Sequence, residues 1–461
     1  MTTISDVQKQ IKSASARTVV EQTIRLAKEN VDYNAWLSLT EERALKRADD
    51  VDSGKITGKL AGVPFAVKDN FLAFGAPTTA ASHILENFNA PLQATAVEKL
   101  EAEGAICIGK TNLDAFAHGG STENSAFGPT KNAHDKTRVS GGSSGGSAVM
   151  TALDIVPFAL GSDTGGSIRQ PASFNGVVGI KPTYGAVSRY GVVAMASSTD
   201  TIGTFATNAA DVELIMSIMA GRDERDMTTL PDYFEIQPNA KSKQKIGLIK
   251  DFMTEGVDPD VRERVNDYVD KLRSSGHTIE EVDLPMAEYA LAIYYIIVPA
   301  EISSNLARFD GIRYGHRAEQ AKTLAELYGR TRDEGFETEN KRRIMIGSYV
   351  LSSGFFDAYY LQAQKARTLL INEFNNLFVK YDALIGPVAP STAFKLGENT
   401  TDPIKMYLED VMTVPASLAG LPAISVPAGY NKSGLPVGVQ IIGPRQSDAA
   451  LLSLARSMEV S

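Results

Sequence analysis

The sequence predicts an α/β fold: one large domain, 1–461, built on a central sheet with helices on both faces. Two observations carry this. From Leu60 onward, short apolar runs (GVPFAVKD, GAICIGKT, DIVPFALGSD, GVVGIKPT) alternate with helix-like stretches such as ATAVEKLEAEG and GGSAVMTAL, punctuated by Gly. No internal repeat, low-complexity tract or long Pro- or Ser-rich linker divides the chain.

Ahead of the sheet, apolar residues at helical spacing (Val20, Ile24, Leu26, Ala27, then Trp36, Leu37, Ala44, Leu45) predict an N-terminal helical region over 1–50, broken by SGKITG. The four apolar runs are read as strands because they are short and flanked by turn residues. PDYFEIQPNAKSKQ reads as a surface crossover, KIGLIKD as a strand, and VRERVNDYVDKLRSSG as an amphipathic helix ending at Gly276. Helices dominate over 286–380, a helical insertion. DALIGPVAP and LPAISVPAG give two more strands, and DAALLSLARSMEV a closing helix.

Composition narrows the function. With 43% hydrophobic and 22% charged residues, the chain has the make-up of a globular protein with a large core. A formal net charge of −9 argues against binding nucleic acid through a broad basic surface. Cys107 is the single cysteine, set in the apolar run AICI, so an internal disulfide and a multi-cysteine zinc site are excluded and a buried, inert thiol is expected. No metal site is predicted. The polar start MTTISDVQKQ offers no signal peptide, and YALAIYYIIVPA falls short of the roughly 20 apolar residues that span a bilayer. These features fit a reducing cytoplasm or an organelle matrix.

GAICIGKT formally satisfies the phosphate-loop pattern G-x-x-x-x-G-K-[ST]. Its context is wrong: a helix, TAVEKLEAE, precedes Gly104, and apolar, partly β-branched residues between the glycines suit a buried strand. The nucleotide-loop reading is therefore rejected.

In LGSDTGGSIRQPASFNG the chain leaves an apolar run and turns at Gly165 and Gly166 just before Ser167. Two glycines before a serine let backbone N–H groups converge on one spot, as an oxyanion hole requires. From this stretch alone, a tight turn with a capping serine reads equally well. A serine nucleophile needs a base. None of the five histidines, His83, His118, His134, His277 and His316, lies in a setting that marks it as one. Lys68 closes the strand-like run GVPFAVK, where desolvation would lower its pKa, although an ordinary exposed lysine reads the same way. VSGGSSGGSAVM, by composition alone, passes for a Gly-Ser linker.

Together KDN (Lys68 to Asn70), GGSSGGS (Gly141 to Ser147) and GSDTGGSIRQPASFNG (Gly161 to Gly176) resemble the amidase signature family, in order and in spacing. The resemblance implies the amidase signature fold, with a central mixed sheet and a signature core over 60–225. It also implies a Ser-Ser-Lys triad with Ser167 as the acylated nucleophile, Ser143 as the bridging serine after a cis peptide bond, and Lys68 as the base. Backbone N–H groups of Thr164, Gly165, Gly166 and Ser167 would hold the oxyanion, and Asp163 with Arg169 would support the loop.

Longer blocks, among them STENSAFGPTKN, NLARFDGIRYG, KRRIMIGSYVLSSG and LPVGVQIIGP, are similar to the A-type branch of that family, found in tRNA-dependent amidotransferases. That branch implies hydrolysis of glutamine to glutamate and ammonia, and partnership with a B-type and a small C-type subunit. The chain itself would hold no cofactor: ATP and Mg are expected at the partner subunit, tRNA is met mainly through the partner, and no membrane is involved. Arg343 would pair with the glutamine α-carboxylate and Asp410 with its α-ammonium, with Tyr294 or Tyr295 nearby. Ser140, Asn175, Ala186 and Thr204 depart from the residues common in the family. The alternative reading is a free-standing amidase for small or hydrophobic amides. A non-catalytic scaffold is a third.

Overall fold

A computed structural model describes residues 2–236, 243–400 and 402–459. Among them eleven strands form one sheet: Trp36–Leu39 (β1), Pro64–Lys68 (β2), Ile106–Thr111 (β3), Phe158–Asp163 (β4), Val178–Lys181 (β5), Thr201–Ala206 (β6), Lys245–Ile249 (β7), Thr278–Val282 (β8), Ala383–Pro387 (β9), Ala423–Tyr430 (β10) and Pro436–Ile442 (β11). Their order is β1-β3-β2-β4-β6-β5-β10-β11-β9-β7-β8. β2 is parallel to both β3 and β4, whereas β6 is antiparallel to β4 and β5, and β11 is antiparallel to β10 and β9, so the sheet is mixed.

β2, β3 and β4 are buried along their whole length. A strand covered on both faces reads as a continuous apolar run, which is why the sequence displays these three plainly. Ala66 faces Val149 and Met150 of the Gly145–Ala152 helix, while Phe65 and Val67 point to the opposite core with Leu160, Ile180 and Val212. Lys68 follows Ala66 at period two and so projects toward that same helix.

The N-terminal region is helical at Ile4–Ser13, Ala16–Glu29 and Glu41–Asp52, but Trp36–Leu39 is a strand, not helix. β1 closes one sheet edge by pairing antiparallel with β3. Strands β6, β8 and β11 also lie where no strand was expected. The segment read as a crossover, PDYFEIQPNAKSKQ, lies partly outside the described residues. Helix Pro259–Ser274 starts on Pro259, where a missing N–H costs nothing, and Gly276 follows it at φ +92°. Of the helices over 286–380, Ala287–Asn305 is long and apolar enough to cross a membrane, which the 12-residue reading YALAIYYIIVPA missed. It serves here as a core helix, with Ile293, Tyr294, Ile297 and Val298 buried.

GAICIGKT contributes β3, following the helix Thr95–Ala102. Its Lys110 is fully buried, with Nζ 2.6 Å from Asp69 Oδ1 and 2.9 Å from Thr78 Oγ1. The same strand carries Cys107, whose thiol burial pushes up to about 12. Removing one partner of a buried ion pair strands the other charge. Lys110→Met is therefore expected to lower the unfolding free energy in urea titrations by about 3–5 kcal/mol, and the double replacement with Asp69→Leu to cost less.

Candidate active site

β2 and β4 run parallel side by side, so their carboxyl ends open on one crevice, the usual place for ligands in α/β sheets. Lys68 is the last residue of β2, and Ser162 and Asp163 close β4. Lys68 Nζ lies 2.7 Å from Ser143 Oγ, 3.0 Å from Ser162 Oγ and 3.3 Å from Ser162 O. Burial pushes this amine down to about 7, against the pull of Asp114, Asp163 and Asp200. Near neutrality it is a proton acceptor.

Ser143 follows a cis peptide bond from Gly142. The loop has no room for larger residues: a Cβ on Gly142 would come 2.2 Å from Asp114 Oδ2, and one on Gly141, at φ +76°, 2.6 Å from Gln170 Oε1. Asp114 is itself buried, which raises its carboxyl to about 6, and it accepts from the N–H groups of Thr122 and Asn124 at 2.8 and 3.1 Å. Ser144 has a separate task. Its hydroxyl donates to Ser162 O (3.1 Å) and its N–H to Ser167 O (3.2 Å), tying the two loops together.

Ser167 is 8% exposed. Among the described residues its hydroxyl forms no hydrogen bond, so Lys68 and Ser143 are joined while Ser167 stands beside them unlinked. Thr164, Gly165 and Gly166 lead into it, held by Thr413 Oγ1, which donates to Gly165 O at 2.6 Å. Asp163 and Arg169 form a fully buried pair, Oδ1 to Nη2 3.0 Å, and Arg169 also donates to Thr413 O and Ser417 Oγ. Burial works to raise Asp163, and the charge of Arg169 nevertheless holds it below the usual carboxylate range.

A cavity of about 90 Å³ is lined by Gly119, Gly120, Tyr295, Arg343, Tyr407 and Asp410. Arg343 is buried; its Nε donates to Glu339 Oε1 at 2.8 Å, and its guanidinium lies 5.3 Å from the Tyr295 ring and 5.7 Å from that of Tyr407. Among the described residues its Nη groups form no hydrogen bond, and neither does the Asp410 carboxylate. Burial raises Asp410 to about 8. Tyr294 is not part of this lining; it packs on the glycine loop before Ser167, where a Cβ on Gly165 would come 2.9 Å from its hydroxyl. Tyr295 stacks on Tyr407 with centroids 3.9 Å apart.

Sequence reasoning missed Ser162, Asp114, Glu339 and Tyr407. Only Ser162 had a usable signal, its place at the end of a strand beside the one that ends in Lys68. Two departures from the family pattern prove to be one feature: Asn175 Nδ2 donates to Ser140 O at 2.7 Å.

An α/β sheet whose parallel strand ends present a desolvated lysine against a serine is the framework of a serine hydrolase. The chain belongs to the amidase family, whose model, Amidase, matches residues 18–452. It is 49% identical over 459 residues to the A-type subunit of the glutamyl-tRNA(Gln) amidotransferase of Koribacter versatilis, covering 98% of this chain and 96% of that one. The crystal structure of the corresponding A-type subunit from Thermotoga maritima superposes with a TM-score of 0.83 at 39% identity, covering 99% of this chain and 94% of that one. A bacterial aryl acylamidase of the amidase signature family gives a TM-score of 0.87 at 26% identity, with 100% and 96% covered.

Ser162→Ala removes one of the groups around Lys68 without touching Ser143. It is expected to slow acylation by about 10- to 100-fold, less than the roughly 100- to 10,000-fold worth of a whole general base, in a stopped-flow burst with 4-nitrophenyl butyrate.

Proposed function

We propose that this chain is the glutaminase subunit of a tRNA-dependent amidotransferase, with Lys68, Ser143 and Ser167 as its triad. One observation carries the reading: beside the buried lysine and serines, the 90 Å³ cavity is lined by Arg343, whose Nε is paired with Glu339 and whose Nη groups form no hydrogen bond among the described residues, and by Asp410, whose carboxyl forms none there either. That combination suits the α-carboxylate and α-ammonium of a free amino acid. It would repel the apolar amides of the alternative, a free-standing amidase, whose support is the likeness in fold to the aryl acylamidase.

In this reading Ser143 passes its proton to neutral Lys68 and takes the proton of Ser167 as Ser167 Oγ bonds to Cδ of glutamine. Backbone N–H groups of Thr164, Gly165, Gly166 and Ser167 receive the oxyanion. The C–N bond then breaks, the proton returns through Ser143 to the leaving nitrogen, and ammonia departs. Water attacks the acyl ester, its proton enters the same relay, and glutamate leaves as Ser167 regains its hydrogen. The Ser167 hydroxyl, unlinked at rest, must turn toward Ser143 for the first step; catalytic hydrogen bonds often close only when substrate is bound. Ammonia would pass to a B-type partner, with a small C-type subunit completing the complex. The ATP- and Mg-dependent activation of the mischarged tRNA, Glu-tRNA(Gln) or Asp-tRNA(Asn), would fall to that partner.

The deciding assay is ammonia release from glutamine by the chain alone and with co-purified partners and mischarged tRNA. Release should rise with the partners present. Full turnover of simple amides by the lone chain, with no response to partners, would sink the reading. Ser167→Ala, in folded protein, should abolish release.

The pH profile follows from two groups, one lowered and one raised. Lys68 acts when neutral, so activity appears as pH rises through about 7. Asp410 must be ionised to meet an ammonium, and it ionises as pH rises through about 8. Hence kcat/KM for glutamine should keep rising to about 8, while acylation by 4-nitrophenyl butyrate, which has no ammonium, should level off after about 7. Superimposable profiles would count against Asp410 as the ammonium partner.

A further inference from the structure

The turn of helix after Ser167 carries a side chain that no step above uses. Gln170 is fully buried on the helix Arg169–Asn175, and its backbone N–H donates to Gly166 O at 2.9 Å, so it is registered on the glycine loop. Its carboxamide is held at both ends. Oε1 accepts the Gly142 N–H at 2.9 Å, and Nε2 donates to Gly120 O at 2.8 Å. A donor on one side and an acceptor on the other permit one orientation only, because a flipped amide would set N–H against N–H and oxygen against oxygen.

The two anchor points belong to different halves of the site. Gly142 precedes Ser143. Gly120 lines the cavity of Arg343 and Asp410, and a Cβ built on it would lie 3.8 Å from both Asp410 Oδ2 and Gln170 Nε2. Gln170 therefore joins a residue that lines the cavity to the residue that precedes Ser143.

We propose that Gln170 is a positioning residue that fixes the distance between the head-group cavity and the catalytic serines, and so selects glutamine over asparagine by chain length. The inference rests on the glutaminase reading. Its chemistry is geometric: a planar amide of fixed bond lengths, hydrogen-bonded at each end, does not stretch to accommodate a substrate one methylene shorter. A methylene is worth roughly 10- to 200-fold in selectivity where a pocket holds its length.

The test compares the full-length wild-type chain with Gln170→Glu and Gln170→Met. Met fills the space and loses both bonds; Glu keeps an acceptor for Gly142 and, when ionised, turns an oxygen on the Gly120 carbonyl, whereas its protonated form donates there and restores both bonds. Hydrolysis of glutamine and of asparagine and the burst with 4-nitrophenyl butyrate are measured, with circular dichroism to confirm folding. In Gln170→Met the KM for glutamine should rise and the glutamine-to-asparagine ratio of kcat/KM should fall about tenfold or more, with the ester burst slowed by a clearly smaller factor, since a lost methylene discrimination is of that order. Gln170→Glu should lose the same selectivity only as its carboxyl ionises, and Gln170→Met serves alone if the Glu variant does not fold. An unchanged ratio in folded Gln170→Met overturns the proposal. So does a fall in Gln170→Met that is equal for glutamine and ester, which would mark general support of the fold. A wild type that gives the ester burst and no ammonia from glutamine would instead sink the glutaminase reading itself.

Discussion

The site depends on an amine kept out of water. A lysine on a surface carries its proton at neutral pH and accepts none. Lys68 ends a strand buried on both faces, and taking a charge into such a place costs several kcal/mol, about what is needed to bring the amine to neutrality. The surroundings then give the neutral group a direction. An amine has two N–H bonds and one lone pair. Ser162 O can only accept, Ser162 Oγ is placed to accept as well, and the lone pair is left facing Ser143, the shortest of the three contacts at 2.7 Å. The nearby acids would restore the proton if all were free to act. Asp163 is spent on Arg169, and burial raises Asp114 and Asp200 so that they carry their own charge less readily.

Sheet topology supplies the rest. Because β2 and β4 are parallel and adjacent, Lys68 and Ser162 reach the same level without a loop between them. The loops that must meet them are held by backbone hydrogen bonds and by glycines whose neighbours leave no space for a Cβ. Lys68 and Ser162 are therefore placed by strands, which are stiffer supports than exposed loops, and the loops that carry Ser143 and Ser167 are buried against them.

Much of this was legible in the sequence, for a physical reason. Strands with four or more consecutive buried residues tend to appear as short apolar runs whatever their pairing, and β2, β3, β4, β5, β7, β9 and β10 announce themselves so, although the equally buried β11 did not. The strands that escaped have partners that override weak local signals. β1 is four half-buried residues between helices, β8 is a charged edge strand with one buried residue, and β6 mixes Thr and Gly in a run that reads as loop. Lys68 and Ser143, which the structure joins, were legible because their blocks carry unusual residue patterns, whereas Asp114 and Glu339 sit in ordinary surroundings and gain meaning only from what folds against them. Tyr294 and Tyr295 show the limit most clearly. Adjacent residues on a helix point about 100° apart, so one presses on Gly165 and the other lines the cavity. No property of the pair YY says which does which.

The two tyrosines also join the halves of the site. Their rings are 5.1 Å apart; Tyr295 stacks on Tyr407 beside Arg343, and Tyr294 rests on the glycine whose carbonyl Thr413 holds. On the opposite wall Gln170 makes a second connection, from Gly120 to Gly142. Both connections consist of planar groups in direct contact, with no flexible segment between. A close-packed interior transmits a displacement in place of absorbing it. The Arg343–Asp410 cavity and the Lys68–Ser143 pair are thus parts of one rigid frame; in the proposed glutaminase a substrate of the wrong length would satisfy one end only by giving up the other.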